Sequence, residues 1–178
     1  IIKLISVMIF KNNLITLKNK DTLIFDDFSF KCSIGKNGLS SDKFEGDKKT
    51  PKGIFKLGSL FYRKDRKKLI KIETKLNIKP ILKNMAWCND VRNKKYYNKQ
   101  IKINKSTRYE ILFRKDYKYD LFIPILYNSN RVTLGRGSAI FIHLTKNYVS
   151  TAGCIAINKK DFKILIKIIN RNTKIEIF

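Results

Sequence analysis

The chain has 178 residues, of which 43% are hydrophobic, and its 39 Lys and Arg against 14 Asp and Glu give a net charge of +25. This hydrophobic content excludes a disordered chain, and the length suits one domain, so we expect a single domain spanning residues 1–178. The positive charge attracts nucleic acid, an acidic membrane or an anionic bacterial wall without selecting among them. Because Lys is scattered among Ile and Asn along the chain, a proteome-wide bias is favoured over a dedicated binding patch.

Cysteine and histidine usage limits the metal and disulfide chemistry. Cys32, Cys88 and Cys154 show no C-x-x-C spacing, so neither a disulfide framework nor a cysteine-rich metal site is indicated. The only histidine, His143, argues against zinc, which usually needs three or four protein ligands. We therefore expect no metal and no cofactor.

The first 35 residues predict strands joined by hairpin turns. The apolar start, residues 1–13, is interrupted by Lys3 and is too short to span a bilayer, so it predicts a strand. Because the chain begins at Ile1 rather than Met, a removed export signal stays open. Polar breaks that suit turns follow at residues 11–13, 19–21 and 26–27.

The middle of the chain is rich in loop residues. Gly, Ser, Asp and Pro concentrate at residues 34–55, which predicts a long, shaped loop that returns into a strand at Ile54. Residues 62–79 are compatible with a short helix or an excursion of the chain. Residues 85–100 are interpreted as a second long loop.

The last third predicts neighbouring strands and one clear helix. Apolar runs at Tyr119–Tyr127 and Ser138–Leu144 predict adjacent strands, and Thr173–Phe178 predicts a final one. Asn158 is suited to the N-cap of a helix, with Asp161 at N3. The helical stripe consists of Phe162, Leu165, Ile166 and Ile169. The predicted class is therefore mostly β, with one or few short helices.

Cys154 and His143 form a candidate nucleophile and base. The thiolate is the reactive form of cysteine, and a nearby imidazole is a common activator. A strand ending near His143, a turn of about nine residues and a strand beginning at Cys154 would bring the side chains together as in a hairpin. We expect the thiol to be ionised when substrate arrives, with the Gly153 and Cys154 amides as an oxyanion hole. The alternative is that both are buried structural residues.

Several motifs resemble those of one enzyme family. "GRGSAIFIHL" and "STAGCIAI", which contain His143 and Cys154, resemble the active-site segment of the YkuD-type L,D-transpeptidases. "KFEGDKKTPKGIF" at 43–55, "FYRKDR" at 61–66 and "MAWCND" at 85–90 resemble further motifs of one branch of that family, in the same order. The resemblance implies a YkuD-like β-sandwich and a cysteine acyltransferase that acts on peptidoglycan stem peptides.

The chain departs from the family at three positions. More familiar members carry His two residues before the cysteine and Arg two residues after it, where this chain has Ala152 and Ala156. Tyr109 stands where the related branch commonly has a histidine, which leaves His143 to act alone.

Three further residues are candidates for substrate binding. Arg114 and Arg136 can hold a peptide carboxylate through a two-pronged pair and replace the missing arginine, while a surface role stays open for each. Trp87 can stack against a sugar or peptide, or belong to the core. Structural roles are favoured for the loop residues Glu45, Asp47 and Thr50.

The sequence thus predicts a monomeric L,D-transpeptidase that works through a Cys154 thioester. The first alternative is an L,D-carboxypeptidase or other cysteine hydrolase that uses the same residues. A basic nucleic-acid-binding protein on an inactive fold is less favoured. We expect the bacterial cell envelope or periplasm as location, with a cytoplasmic location left open.

Overall fold

The fold consists mostly of strands, as the computed structural model shows for residues 13–66 and 72–178. The expected strand in the apolar N-terminus lies outside these residues. The strands are β1 (Leu14–Lys18), β2 (Thr22–Phe25), β3 (Phe28–Ser33), β4 (Leu39–Ser40), β5 (Thr50–Pro51), β6 (Gly53–Lys56), β7 (Leu60–Tyr62), β8 (Ile78–Pro80), β9 (Met85–Cys88), β10 (Gln100–Lys102), β11 (Tyr109–Ile111), β12 (Leu121–Pro124), β13 (Phe141–Thr145), β14 (Ile155–Asn158) and β15 (Lys174–Ile177). The described part of the chain has one helix, α1 (Lys159–Ile168). The mostly-β prediction is confirmed.

The largest sheet in the described part of the chain has ten strands and is curled. Its order is β6-β15-β1-β2-β3-β14-β13-β12-β7-β8. Strands β1, β2 and β3 pair antiparallel in succession, which confirms the hairpin turns predicted at residues 19–21 and 26–27. Asn19, Lys20 and Asp26 adopt positive φ in these turns, a conformation that Asn and Asp tolerate better than most residues. Of the two candidate catalytic residues, His143 lies in the central strand β13 and Cys154 immediately precedes the central strand β14.

Helix α1 follows β14 directly and packs on the two central strands. The Asn158 side chain accepts a hydrogen bond from the Asp161 amide at 2.9 Å, which confirms the predicted N-cap. Phe162, Leu165 and Ile166 turn inward and are buried. The helix therefore seals one face of the strands that carry the site.

The interpretation of residues 85–100 as a loop is wrong for its first four residues and its last one. Strand β9 is the middle of a three-stranded sheet in the order β10-β9-β11, and β10 begins at Gln100. Ala86 and Cys88 are buried, while Met85 and Trp87 are half-buried. A four-residue alternation next to a run of charged residues is a weak signal, and its partner strand β11 is distant in sequence.

The other long loop agrees better with expectation. Residues 34–55 contain only the two-residue strands β4 and β5 before β6, which confirms the predicted return into a strand at Ile54. Residues 67–71 lie outside the described part of the chain, so the ambiguity over residues 62–79 is settled only at their ends, where β7 and β8 pair in parallel.

Replacing Phe162 by alanine tests how strongly α1 is anchored on the sheet. Phe162 is fully buried in the main core, so its truncation leaves a cavity and should lower the free energy of unfolding by about 4 kcal/mol. Phe44→Ala removes a side chain that is 57% exposed and should cost under about 1 kcal/mol. Chemical denaturation of both variants measures the difference. Equal losses would show that α1 contributes little to stability.

Candidate active site

A cavity of about 500 Å³ brings the two candidate catalytic residues together. Most of its lining comes from three segments: the loop containing Lys43, the stretch from Glu110 to Tyr119, and the region from His143 to Ala156. The thiol and the imidazole thus face one space, although they come from different strands or strand ends.

The parallel pairing of β13 with β14 determines where His143 and Cys154 lie relative to each other. His143 lies opposite Ala156, and Cys154 immediately precedes β14. The predicted hairpin is therefore wrong, and His143 is in the middle of its strand. The reason is burial on both faces: the near-continuous apolar runs of β13 and β14 are typical of parallel strands inside a fold, whereas a hairpin with one solvated face alternates.

The Cys154 thiol forms hydrogen bonds with backbone atoms of β13 and of the segment that precedes β13. Sγ accepts a hydrogen bond from the Phe141 amide and donates one to the Ala139 carbonyl, both at 3.3 Å. Burial, and to a smaller extent the charge of Glu110, raise the pKa of this thiol to about 12, although the Phe141 amide and Lys43 oppose the rise. The resting sulfur is therefore a neutral thiol.

The His143 imidazole is also neutral. Burial lowers its pKa to about 4, although the contact with the Leu144 carbonyl favours the protonated form. Nδ1 lies 3.0 Å from the Leu144 carbonyl oxygen, which can only accept, so Nδ1 carries the proton and Nε2 is left as an acceptor. The ring packs edge-on against Tyr119, with 5.4 Å between the centroids.

The expectation of an ionised thiol in the resting site does not hold in this structure. Both groups are only 7% exposed, and taking a charge out of water costs more than the surrounding dipoles return. Between these two described side chains there is no direct hydrogen bond, because the thiol bonds to backbone atoms instead.

The turn that carries Cys154 is fastened by two threonines. The Thr50 hydroxyl donates to the Gly153 carbonyl at 2.8 Å and accepts from the Gly35 amide at 2.9 Å. The Thr151 hydroxyl donates to the Cys154 carbonyl at 2.6 Å and accepts from the Gly153 amide at 3.1 Å. Gly153 has φ +135°, and a Cβ there would lie 2.8 Å from a backbone oxygen, so a side chain is excluded.

These contacts change the predicted oxyanion hole. The Gly153 amide already donates to Thr151, so it is engaged within the turn. The Gly153 carbonyl points at Thr50, and in a trans peptide the following N–H points the opposite way. The Cys154 amide is therefore directed away from Thr50, and it is the better candidate of the two.

The loop residues Glu45 and Asp47 tie the site together, as a structural role predicts. The Glu45 carboxylate accepts hydrogen bonds from the hydroxyls of Tyr97 at 2.5 Å and Ser138 at 2.7 Å. The Tyr97 hydroxyl in turn accepts from the Gly137 amide, which fixes the segment leading into β13. Asp47 accepts from the Lys49 amide and from the Lys43 ammonium.

Glu110 and Lys43 are two of the cavity residues that were not predicted as parts of the site. Glu110 accepts a hydrogen bond from the Tyr119 hydroxyl, and burial raises the pKa of its carboxyl. Lys43 is buried at the cavity wall. Glu110 follows Tyr109 within the segment that matches the family, which was its available signal; a lysine in a polar loop gives no sign of burial.

The three substrate-binding candidates occupy different places. Arg114 lines the cavity and pairs with Asp116 at 2.6 Å. Arg136, with an exposed side chain, pairs with Asp42 and lies outside the residues that line the cavity. Trp87 also lies outside that set; its Nε1 donates to Asn98 at 2.9 Å and its ring packs edge-on against Phe141.

Comparison with protein families agrees with this arrangement. The family model of the YkuD L,D-transpeptidase catalytic domain matches residues 6–177, essentially the whole chain. The chain belongs to this family. Membership supports an L,D-transpeptidase-type activity on peptidoglycan. No curated protein and no solved structure gave a significant match. In the described parts of this L,D-transpeptidase family member, no group of side chains is suited to a metal ion and no helix is long and apolar enough to cross a membrane.

Thr50→Val tests the hydrogen bonds that fasten the turn carrying Cys154. The substitution keeps the shape of the side chain but leaves the buried Gly35 amide and Gly153 carbonyl without this partner, which should lower the free energy of unfolding by about 2 to 4 kcal/mol. Thr50→Ser keeps the hydroxyl and should retain most of the stability. Thermal and denaturant unfolding of the pair checks this. Equal stability of the two variants would show that the hydroxyl has no role.

Acid titration tests the burial of His143. Its pKa in the folded protein is about 4, below the ordinary histidine value of 6.5, so the unfolded chain binds this proton first and stability falls as pH drops through that range. Relative to His143→Gln, the parent should lose about 3 kcal/mol of unfolding free energy between pH 7 and pH 4. Denaturation at a series of pH values measures this difference. A difference that stays constant over this range contradicts a buried, neutral imidazole.

Proposed function

We propose that this protein is a cysteine acyltransferase that performs L,D-transpeptidation on peptidoglycan stem peptides, with Cys154 as nucleophile and His143 as base. The observation that carries the proposal is that the thiol and the imidazole line one cavity from adjacent parallel strands. Family membership supports the same reading and favours it over a nucleic-acid-binding protein on an inactive fold. The substrate also favours action at the bacterial cell envelope.

In the first step, Nε2 of His143 takes the thiol proton while the sulfur attacks the carbonyl carbon that precedes a D-amino acid. A carbon–sulfur bond forms, and the carbonyl π electrons move onto oxygen, where the Cys154 amide stabilises them. The tetrahedral intermediate then collapses. Its carbon–nitrogen bond breaks, and the leaving D-amino acid takes the proton from the imidazolium.

In the second step, the Cys154 thioester is resolved by an acceptor. An amine from another stem peptide loses a proton to His143 and attacks the thioester carbon. The carbon–sulfur bond breaks and the thiol recovers its proton. Transfer to an amine gives a cross-link, whereas attack by water gives the L,D-carboxypeptidase reaction.

The thiol and imidazole begin neutral, so charge separation occurs only when substrate is bound. A peptide that fills the cavity excludes water and brings its polarised carbonyl to the sulfur. As the sulfur attacks, the negative charge moves directly onto the carbonyl oxygen. A neutral resting pair also limits attack of the thiol on adventitious electrophiles.

Arg114 is the cationic candidate for holding the donor peptide. It lines the cavity, and its guanidinium can bind a carboxylate in a two-pronged geometry. This places a guanidinium at the site although position 156 is alanine. Arg136 and Trp87, outside the cavity lining, remain candidates for a longer substrate that extends beyond it.

Intact-mass spectrometry after exposure to a carbapenem tests the nucleophile. We expect one covalent adduct on the parent and none on Cys154→Ser, because the hydroxyl cannot replace the thiol in this site. Cys88→Ala, which changes a buried cysteine in β9, should still form the adduct. An adduct that survives in Cys154→Ser would contradict the assignment.

The same protein, given a stem tetrapeptide ending in D-alanine, distinguishes transfer from hydrolysis. A cross-linked product that appears only with an acceptor amine supports transpeptidation. Release of D-alanine and a tripeptide at an equal rate with and without the amine would make the protein a carboxypeptidase.

A further inference from the structure

Lys43 is a buried cation at the wall of the cavity. Its side chain is 3% exposed, and its ammonium pairs with Asp47, itself 1% exposed, at 2.5 Å. Lysine is almost never fully buried unless it is paired, and burying such a pair is often no more stabilising than apolar packing. A lysine that served only to close a polar loop could form its ion pair at the solvent-exposed surface. Its position inside the fold therefore points to a use there.

Gly137 makes room for this side chain, and Gly153 lies beside its end. A Cβ at Gly137 would lie 2.7 Å from Lys43 Cε, and a Cβ at Gly153 would lie 3.6 Å from Lys43 Nζ. The lysine stem thus passes the segment before β13 and ends beside the peptide that joins Gly153 to Cys154. Lys43 and Cys154 both line the cavity, and the positive charge of Lys43 acts on the thiol.

The ammonium has hydrogen-bonding capacity left over. A lysine ammonium carries three N–H donors, and among the described residues only Asp47 accepts from it. The turn that carries Cys154 is short of free hydrogen-bond donors. Its Gly153 amide donates to Thr151, so only the Cys154 amide is left to donate to an oxyanion. A hole with one donor stabilises a tetrahedral intermediate much less than a hole with two.

We propose that the Lys43 ammonium is the second donor of the oxyanion hole and binds the carbonyl oxygen of the acyl donor together with the Cys154 amide. The inference rests on the proposed acyl transfer. As the carbon–sulfur bond forms, the π electrons of the carbonyl move onto oxygen, and a fixed positive charge meets them there. When the carbon–nitrogen bond breaks, the electrons return and the ammonium keeps its protons.

A purely structural role for Lys43 gives different expectations. Asp47 already accepts hydrogen bonds from the Phe44 amide at 3.1 Å and the Lys49 amide at 2.9 Å, so the loop stays closed without the lysine. If Lys43 serves only to neutralise Asp47, removing either partner should have the same effect on the reaction. If it binds the oxyanion, only its own removal should.

The test compares Lys43→Met with Asp47→Asn and Lys52→Met. The first removes the charge and keeps the stem, the second removes the ion pair but keeps the ammonium, and the third makes the same change at an exposed lysine of the same loop. Two rates are measured on folded protein: acylation by a saturating carbapenem, from intact mass, and alkylation of the thiol by iodoacetamide, compared at the pH plateau of each variant. Alkylation develops no oxyanion.

We expect Lys43→Met to slow acylation at least about 100-fold and alkylation less than about 10-fold, because loss of one oxyanion donor costs a factor of this order. Lys52→Met should match the parent, and Asp47→Asn should acylate at least tenfold faster than Lys43→Met. Should Lys43→Met not fold, Lys43→Met combined with Asp47→Asn, which leaves neither charge of the buried pair unpaired, is compared with Asp47→Asn alone and carries the same expectation.

Three results would overturn the proposal: acylation of folded Lys43→Met within about threefold of the parent, equal loss of acylation and alkylation, or equal acylation by Lys43→Met and Asp47→Asn. Failure of the acyl-transfer proposal itself looks different, because then the parent forms no adduct that depends on Cys154.

Discussion

The parallel pairing of β13 with β14 is the constraint on which the site depends. It sets His143 opposite Ala156 and leads the chain into β14 directly after Cys154, so that the Phe141 amide of the neighbouring strand meets the sulfur. Parallel neighbours cannot be joined by a tight turn. The chain therefore needs the connection that follows β13, and that connection supplies the cavity wall, including Thr151. Helix α1, which packs on both strands, holds this pairing in place.

Burial of the site makes neutrality its resting state. The pKa of the thiol is raised and that of the imidazole is lowered, in both cases chiefly by burial. The buried Glu110 carboxyl follows the same rule, with a raised pKa beside the Tyr119 hydroxyl. A site of this kind holds its dipoles and the buried Lys43–Asp47 ion pair fixed before substrate arrives, so that developing charge would meet an organised environment.

The parts of the structure that the sequence predicts are those written in local patterns. The hairpins of β1 to β3 and the capped helix α1 depend on neighbours within a few residues, and these predictions are confirmed. Strand β9 and the parallel pairing of β13 with β14 depend on packing within the folded sheets rather than on a local pattern, and they were interpreted wrongly. For the site, spacing and family motifs led to Cys154 and His143. The engagement of the Gly153 amide depends on a hydroxyl orientation that no sequence pattern records.

With alanine at position 156, the positive charges that line the cavity come from segments other than β14. Ala156 is almost fully buried, lies opposite His143 in the sheet and lines the cavity, so β14 itself offers no cation. Arg114 and Lys118 line the cavity from another segment and are close enough to depress the pKa of His143. A carboxylate held there would lie near the imidazole, where its negative charge would favour the imidazolium that forms during attack. Substrate binding and activation of the base would then be coupled through one electrostatic field.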